Sequence, residues 1–343
     1  MKKYKVLGVS AGQGALLFPW KQAGHKVIGN VEPRAVFHTK GENQWIGNFG
    51  KSIFTRNLEE VLDKKVDIIV SSPDCGASSV MRLSKVKQLG TPEKNASLNL
   101  VLEAINHFKP KIFLIENLPR LLSLLPKQFF EEALPDYKLV YHCCSVAEFG
   151  NSQVSRKRLV IIGVLKKKAK LLNKFDTLFK VNSLKVTKGV LNPLVTDLDL
   201  CSNINESCNW IPKSDKVLAM YDYRKLPKKI NLNVAQIHDL WVNDFKHEKK
   251  WPIKTAKMST LPGVYRLEAD KPPLTLRPAD RQFRPDGWPL GILDFKNIMG
   301  FPDEFRVYMN LKDYNYSLNK ARYALAKGSV YEVGLWFLNC LTL

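Results

Sequence analysis

A chain of 343 residues holds one large domain or two ordinary ones, and it has no apolar run near the roughly 20 residues that a membrane helix needs. Lys and Arg number 53 against 32 Asp and Glu; the charge of +21 favours a polyanionic partner such as nucleic acid, although a merely solvated lysine-rich surface gives the same number. The six cysteines include no Cys-x-x-Cys pair with zinc spacing, so they read as free thiols and no metal site is expected.

The start, Met1-Lys2-Lys3-Tyr4-Lys5-Val6, enters a strand at once without a hydrophobic signal region, which reads as an intracellular chain. Residues 4–10 predict that first strand, and Ala11-Gly12-Gln13-Gly14-Ala15 a small-residue turn into a helix. Glycines there let backbone approach a ligand, and the helix start offers N–H groups. Pro19 belongs near the start of the helix or bends it. Lys26 to Val31 predict a second strand closed by Glu32, and an acid about twenty residues past a glycine turn suits a ribose diol. A polar helix and loop follow, then a short helix over 57–62 and a strand over Val66–Val70.

Gly76 to Gly90 carries Ser78, Ser79, Arg82, Lys85 and Lys87 between two glycines, the composition of a mobile loop over an anionic substrate. Thr91-Pro92-Glu93 predicts a helix start with a cap and proline at the first position. Leu98, Val101, Leu102 and Ile105 give that helix one buried face, and Lys109-Pro110 ends it before a strand over Lys111–Ile115. Tyr137–Ser145 and Leu159–Leu165 read as two further strands, adjacent through the turn at Phe149-Gly150-Asn151. After the lysine run at 166–170 the alternation of strand and helix is lost, and residues 171–270 read as a second, irregular domain. Regularity returns near Phe295, and Gly328-Ser329-Val330 opens a last apolar helix, Tyr331–Leu341.

Two of the apolar strands stop at reactive side chains. Val66–Val70 leads into Ser71-Ser72-Pro73-Asp74-Cys75, and Lys111–Ile115 leads into Glu116-Asn117. Runs buried on both faces read as parallel strands, and in open α/β sheets reactive groups gather beyond the strands' carboxyl ends. A thiol and a carboxylate on one rim suggest covalent catalysis with an acid partner. A structural cysteine and a loop carboxylate is the alternative for either segment alone.

In this order the motifs resemble those of the cytosine-C5 DNA methyltransferases over nearly the whole chain. Gly8-Val9-Ser10-Ala11-Gly12-Gln13-Gly14-Ala15 resembles the family's cofactor turn, with Glu32 as its ribose-binding acid. Asn48-Phe49-Gly50 with Ser52-Ile53 resembles the stretch that binds adenine, and Ser72-Pro73-Asp74-Cys75-Gly76 the nucleophile loop. Glu116-Asn117-Leu118, Gln153-Val154-Ser155-Arg156-Lys157-Arg158, Ile298-Met299-Gly300-Phe301-Pro302-Asp303-Glu304-Phe305 and Lys327-Gly328-Ser329-Val330 resemble the remaining motifs. Departures stand beside them. Ser10 replaces a phenylalanine that lies against the cofactor, Ala15 a glycine, Ser52 the aspartate of the adenine site, Asp74 a proline and Gly76 a glutamine. The arginine motif carries one extra residue between Gln153 and Arg156.

The resemblance implies an α/β, Rossmann-like S-adenosylmethionine-dependent methyltransferase fold with a mostly parallel sheet, formed by residues 1–170 with 286–343. A smaller, irregular target-recognition domain would span 171–285. It implies Cys75, Glu116, Arg156 and Arg158 as catalytic residues, the cysteine adding to cytosine C6 and the others stabilising the ring. Ser10, Ala11, Gly12, Gln13, Gly14, Glu32, Pro73, Ser329 and Val330 would bind S-adenosylmethionine. Ser78, Ser79, Arg82, Lys85 and Lys87 would meet DNA. Asp74 beside the thiol requires an offsetting cation, for which Arg156 or Arg158 is available. The expected partner is double-stranded DNA, around a flipped-out base, for a monomer away from membranes in the cytoplasm of a bacterial cell, encoded by a phage or mobile element in one version; a restriction endonuclease partner is left open. The rival readings are a tRNA cytosine-C5 methyltransferase of the same superfamily and a catalytically silent DNA-binding homologue.

Overall fold

The computed structural model describes residues 3–34, 44–75, 95–151, 153, 155–172, 175, 264–266, 275–276, 281–283, 292–302, 304–305, 325–326 and 328–342. Its trace divides into two compact units, Met1–Val186 with Gly328–Leu343, and Thr187–Lys327. The first unit carries a seven-stranded sheet with the order β3-β2-β1-β4-β5-β7-β6. In chain order these strands are β1 (Lys5–Val9), β2 (Lys26–Val31), β3 (Ile53–Thr55), β4 (Ile68–Ser71), β5 (Ile112–Asn117), β6 (Tyr137–Ser145) and β7 (Lys157–Leu165). The first five are parallel; β7 runs antiparallel to both β5 and β6. The expected α/β, mostly parallel sheet is therefore what the chain forms.

Burial explains the pattern. All residues of β4 and β5 are buried, as expected of central strands covered on both faces. On one face Leu7, Ile69, Phe113, Ile115 and Ile161 pack under α3 (Ala96–Phe108), which turns Leu98, Val101, Leu102 and Ile105 inward, and under Phe130 of a short helix at Lys127–Ala133. Phe113 lies across its partner Gly163, where an added Cβ would sit 2.1 Å from the ring. On the other, α1 (Phe18–Gln22), followed in the chain by α2 (Gln44–Phe49), packs against the final helix, Tyr331–Thr342, with Trp20 edge-on to Phe337 at 5.8 Å.

Several boundaries differ from expectation. Strand β5 continues through Glu116 and Asn117, so the acid lies inside the strand's last two positions. Helix α3 is capped by Asn95, whose side chain accepts from Leu98 N at 3.2 Å; the start expected at Thr91 lies outside the described residues. Lys109 ends the helix with a left-handed φ of 44°, and Pro110 prevents its continuation. The helix expected over 57–62 is a 3₁₀ turn, Leu58–Val61, and β3 has no sequence forecast because three residues give no readable alternation.

In the second unit the described residues include a parallel strand pair, Val264–Arg266 with Arg281–Phe283, and the helix Ile292–Ile298, with Phe295, Met299, Phe301 and Phe305 buried. Nearly all of 171–285 lies outside the described residues.

Candidate active site

The strand order reverses between β1 and its two neighbours, β2 and β4, so the carboxyl ends of these strands open onto a crevice, the usual ligand position in such sheets. The segments that follow β1, β2, β4 and β5 meet along this rim, and Arg156 to Arg158, which precedes β7, joins them. Because β7 is antiparallel, its beginning lies at the rim where β5 ends.

At the end of β1, Ser10 is fully buried and adopts a left-handed φ of 54°. Its N–H donates to Val31 O at 2.7 Å, and its carbonyl accepts from Ser72 N at 3.3 Å. The following turn is clamped by Asn30 of β2, which accepts from Ala11 N at 3.2 Å and donates to Gly12 O at 3.0 Å. Gly12 and Gly14 have φ of 60° and 88°, and a Cβ on Gly14 would sit 2.6 Å from the Phe49 ring. Trp45 stacks on Phe49 at 3.9 Å and on Phe54 at 5.2 Å, so an aromatic wall borders the turn. Ser52 turns inward here: its hydroxyl donates to Phe49 O at 2.7 Å.

Glu32, at the tip of β2, is fully buried. It accepts from Gly12 N at 2.7 Å and is paired with Arg34, whose Nε lies 2.6 Å from Oε1 and Nη2 2.7 Å from Oε2. Arg34 also donates from Nη2 to Ser10 O at 2.7 Å. Burial opposes the guanidinium's charge, yet the bonds and charge of Glu32, with Asp74 and Cys75 beyond them, hold its pKa above the ordinary value. Arg34 is thus a cation that feels Asp74 and Cys75, and it adds to Arg156, one of the two offsetting cations expected from the sequence, which also feels Cys75.

The segment after β4 is held by side-chain bonds as well as by Ser72 N on Ser10 O. Ser72 donates to Glu116 Oε2 at 2.8 Å, and Asn117 donates to Pro73 O at 3.1 Å. Asp74 N donates to Ser97 Oγ at 2.7 Å, while Asp74 O accepts from Asn95 at 2.9 Å. Cys75, next in the chain, is half-buried and its sulfur is a reduced thiol.

Glu116 is 4% exposed, and both its oxygens are engaged. Arg158 Nε lies 2.7 Å from Oε1; Ser72 and Ser329 donate to Oε2 at 2.8 and 2.6 Å. Ser329, expected at the cofactor, therefore sits on the acid, and Val330 is buried at the head of the last helix. Arg156 is 1% exposed and donates to Gly328 O at 2.9 Å. Burial and the neighbouring Arg158 pull its pKa down to about 9 against the attraction of Glu116 and Cys75. Gln153 is buried too, bonded through its N–H and amide to Asn151 Oδ1 at 3.0 and 3.2 Å. Ser78, Ser79, Arg82, Lys85 and Lys87 lie outside the described residues.

Sequence reasoning missed Asn30, Arg34, Asn95 and Ser97 as parts of this rim, and it placed Ser72 and Asn117 in its motifs without assigning a role to either side chain. Asn30 had a signal, a polar residue inside the apolar run of β2. Elsewhere His142, Cys144 and Glu148 bring ligand-type atoms within 4.8 Å of one another, but His142 bonds Glu148 at 3.1 Å and Glu148 also caps Ser145 N at 3.0 Å.

A family model for C-5 cytosine-specific DNA methylases matches residues 4–318. The chain is 29% identical over 120 residues to the type II methyltransferase M1.HgaI of Avibacterium volantium, covering 32% of this chain and 33% of that protein. It is 27% identical over 260 residues to M.NgoFVII of Neisseria gonorrhoeae, another type II methyltransferase, covering 70% and 64%. The chain thus spans about a third of the first relative's length and less than two thirds of the second's. Among solved structures, the S. pombe Dnmt2 methyltransferase superposes over 99% of both chains with a TM-score of 0.54 at 12% identity, a likeness of fold.

Proposed function

From the premise that the chain belongs to the C-5 cytosine-specific DNA methylase family, we propose that it transfers a methyl group from S-adenosylmethionine to C5 of a flipped-out cytosine in double-stranded DNA, through a covalent adduct with Cys75. The arrangement at Glu116 carries this reading: an arginine on one oxygen and two hydroxyls on the other, on the rim that bears the thiol.

The residues at the turn fit the donor. Gly12 and Gly14 keep the backbone free of side chains, Asn30 fixes its shape, and Glu32 lies within a hydrogen bond of Gly12. Gly12, Gly14 and Glu32 would hold the donor, with Trp45 and Phe49 alongside; when bound it supplies an electrophilic methyl group.

Cys75, as the thiolate, adds to C6, and its electron pair forms the S–C6 bond. The displaced π electrons move toward N3 and O2, where Glu116 donates a proton or hydrogen bond and Arg158 offers its charge. The hydroxyls of Ser72 and Ser329 can turn from donor to acceptor, so either protonation state of Glu116 stays bonded. With the donor bound, the electrons held at N3 and O2 would return through C5 to take up its methyl group, the donor's sulfur keeping the electron pair of the broken S–CH3 bond, and the C5 proton would then pass to a general base. The electrons of that C–H bond restore the C5–C6 double bond as the Cys75 sulfur leaves. The base must leave the duplex stack first, at about a few kcal/mol. Residues 171–285 would read the target, and the loop over 76–90 would meet its phosphates. The same reading assigns the chain to the bacterial cytoplasm as a monomer, with a restriction endonuclease as a candidate partner.

Bisulfite sequencing of DNA from cells expressing the protein tests the reading. Protected cytosines should appear in a fixed sequence context with the wild type and vanish with Cys75→Ser, which should still bind DNA. Only the wild type should be trapped on duplex containing 5-fluorocytosine. Undiminished methylation by Cys75→Ser would overturn the nucleophile assignment.

A further inference from the structure

Taking the methyl donor's ribose to bind at Glu32, as proposed above, we propose that Arg34 is a latch on that acceptor: its paired donors on Glu32 are exchanged, one for one, for the two ribose hydroxyls.

A carboxylate offers about four acceptor sites. Those of Glu32 are all taken within the chain. Oε1 accepts from Arg34 N at 3.1 Å and Arg34 Nε at 2.6 Å. Oε2 accepts from Gly12 N at 2.7 Å and Arg34 Nη2 at 2.7 Å. Glu32 is fully buried, so no face of it waits in solvent. A vicinal diol can therefore gain this acceptor only by displacing donors already present.

The four donors differ in how easily they leave. The two backbone N–H groups are fixed: Gly12 by the Asn30 clamp, and Arg34 N by its place two residues along the chain. The guanidinium is carried by a flexible side chain that is 14% exposed, so it can swing away at the cost of its bonds, the one to Ser10 O included. It presents two N–H bonds to two oxygens, the same pattern that a ribose 2′,3′-diol presents. Its removal would leave the buried charge satisfied once the diol arrived, and exposed to a desolvation penalty if nothing did.

The latch also reaches beyond the acid. Arg34 Nη2 bonds Ser10 O, the carbonyl that also accepts from Ser72 N in the nucleophile segment. Opening the latch therefore loosens the junction between the cofactor turn and the thiol's loop. The released charge stays in the field of Asp74 and Cys75, which already act on it. Asp74 is the anion that stands beside the thiol.

Titration calorimetry of the full chain with S-adenosylhomocysteine tests this, with Arg34→Ala and Arg34→Lys beside the wild type. If the latched form makes up about nine-tenths of the free protein, Arg34→Ala binds about tenfold tighter, since the competing donors are gone. Arg34→Lys, which can offer the carboxylate a single ammonium group, falls between. Thermal unfolding supplies the second readout. Without ligand Arg34→Ala should melt below the wild type, because Glu32 loses its counter-charge, and S-adenosylhomocysteine should raise its Tm by more than it raises that of the wild type. Equal or weaker binding by a folded Arg34→Ala would overturn the latch and leave the donor reading standing. No saturable binding by any of the three proteins would overturn the donor reading and the latch with it.

Discussion

The two halves of the rim are built on different principles. Around β4 and β5 the functional groups are joined by side-chain bonds between distant segments: Ser72 and Ser329 on Glu116, Ser97 and Asn95 on Asp74, Asn117 on Pro73. Around β1 and β2 the backbone itself is shaped, by Asn30 on the turn and by left-handed residues at Ser10, Gly12 and Gly14. A network of side chains localises damage, since each bond concerns one partner. A shaped turn spreads damage, since its groups move together. So substitutions in the first half should act on turnover at little cost in stability, and those in the second should act on both stability and ligand affinity.

Glu116→Gln gives the largest of these contrasts. The amide still donates a hydrogen bond, but it cannot protonate N3 and no longer attracts Arg158, so turnover should fall on the order of 10²–10³-fold. Single-turnover methylation with tritiated donor measures it. A variant within a factor of about three of wild type would make Glu116 a structural group and dissolve the contrast.

Asn30→Ala probes the other half. It strands Ala11 N–H and Gly12 O, each buried and each costing about 1–3 kcal/mol when unpaired, less whatever the turn recovers by relaxing. The urea midpoint should drop and S-adenosylhomocysteine affinity should weaken together. A loss of stability with unchanged affinity would mean that the turn keeps its shape without the clamp.

The same division decided what could be read in advance. The sheet was legible because β4 and β5 are continuous apolar runs that end at polar residues, and α3 because its apolar positions repeat at helical spacing. The thiol and the acid were legible as strand-end residues. Their supports were not: Ser72 and Ser329 are 257 residues apart, and nothing local in either tells that both hydroxyls reach one carboxylate oxygen. Arg34 was invisible for a related reason. A residue two places past the acid at the tip of β2 reads as loop, and only the fold shows that it turns back onto that acid.

Ser72→Ala removes one of the two hydroxyls on Glu116 Oε2 and keeps the other. The lost bond is worth about 1 kcal/mol, so turnover should fall roughly five- to tenfold with KM for DNA unchanged. A joint Ser72→Ala, Ser329→Ala variant should fall by more than the product of the single effects, because the buried carboxylate then depends on Arg158 alone among these three donors. Strict additivity would show that the hydroxyls act independently and that the network is looser than it looks.

The last effect, on stability rather than turnover, concerns how the Glu116 half of the rim is carried on the final helix. Asn151 donates from one amide nitrogen to both oxygens of Glu332, at 3.1 Å each, and its own Oδ1 accepts from the Gln153 N–H and amide; Arg156 N in turn donates to Gln153 O. Burial raises the Glu332 pKa from 4.5 to about 7, against its own backbone bond and the Asn151 amide, which favour the charged form. The folded protein therefore binds this proton more tightly than the unfolded chain does. Between pH 4.5 and about 7 the native state carries more protons, so stability falls as pH rises through that window and levels off above it, by at most about 3 kcal/mol. Glu332→Gln should flatten this part of the stability profile in urea unfolding at constant ionic strength, and should gain stability at pH 8 relative to wild type. If the two profiles stay parallel from pH 4.5 to 8, the carboxylate is already charged in the folded protein and the Asn151 bonds outweigh burial; the chain from Glu332 to Arg156 then transmits no dependence on pH.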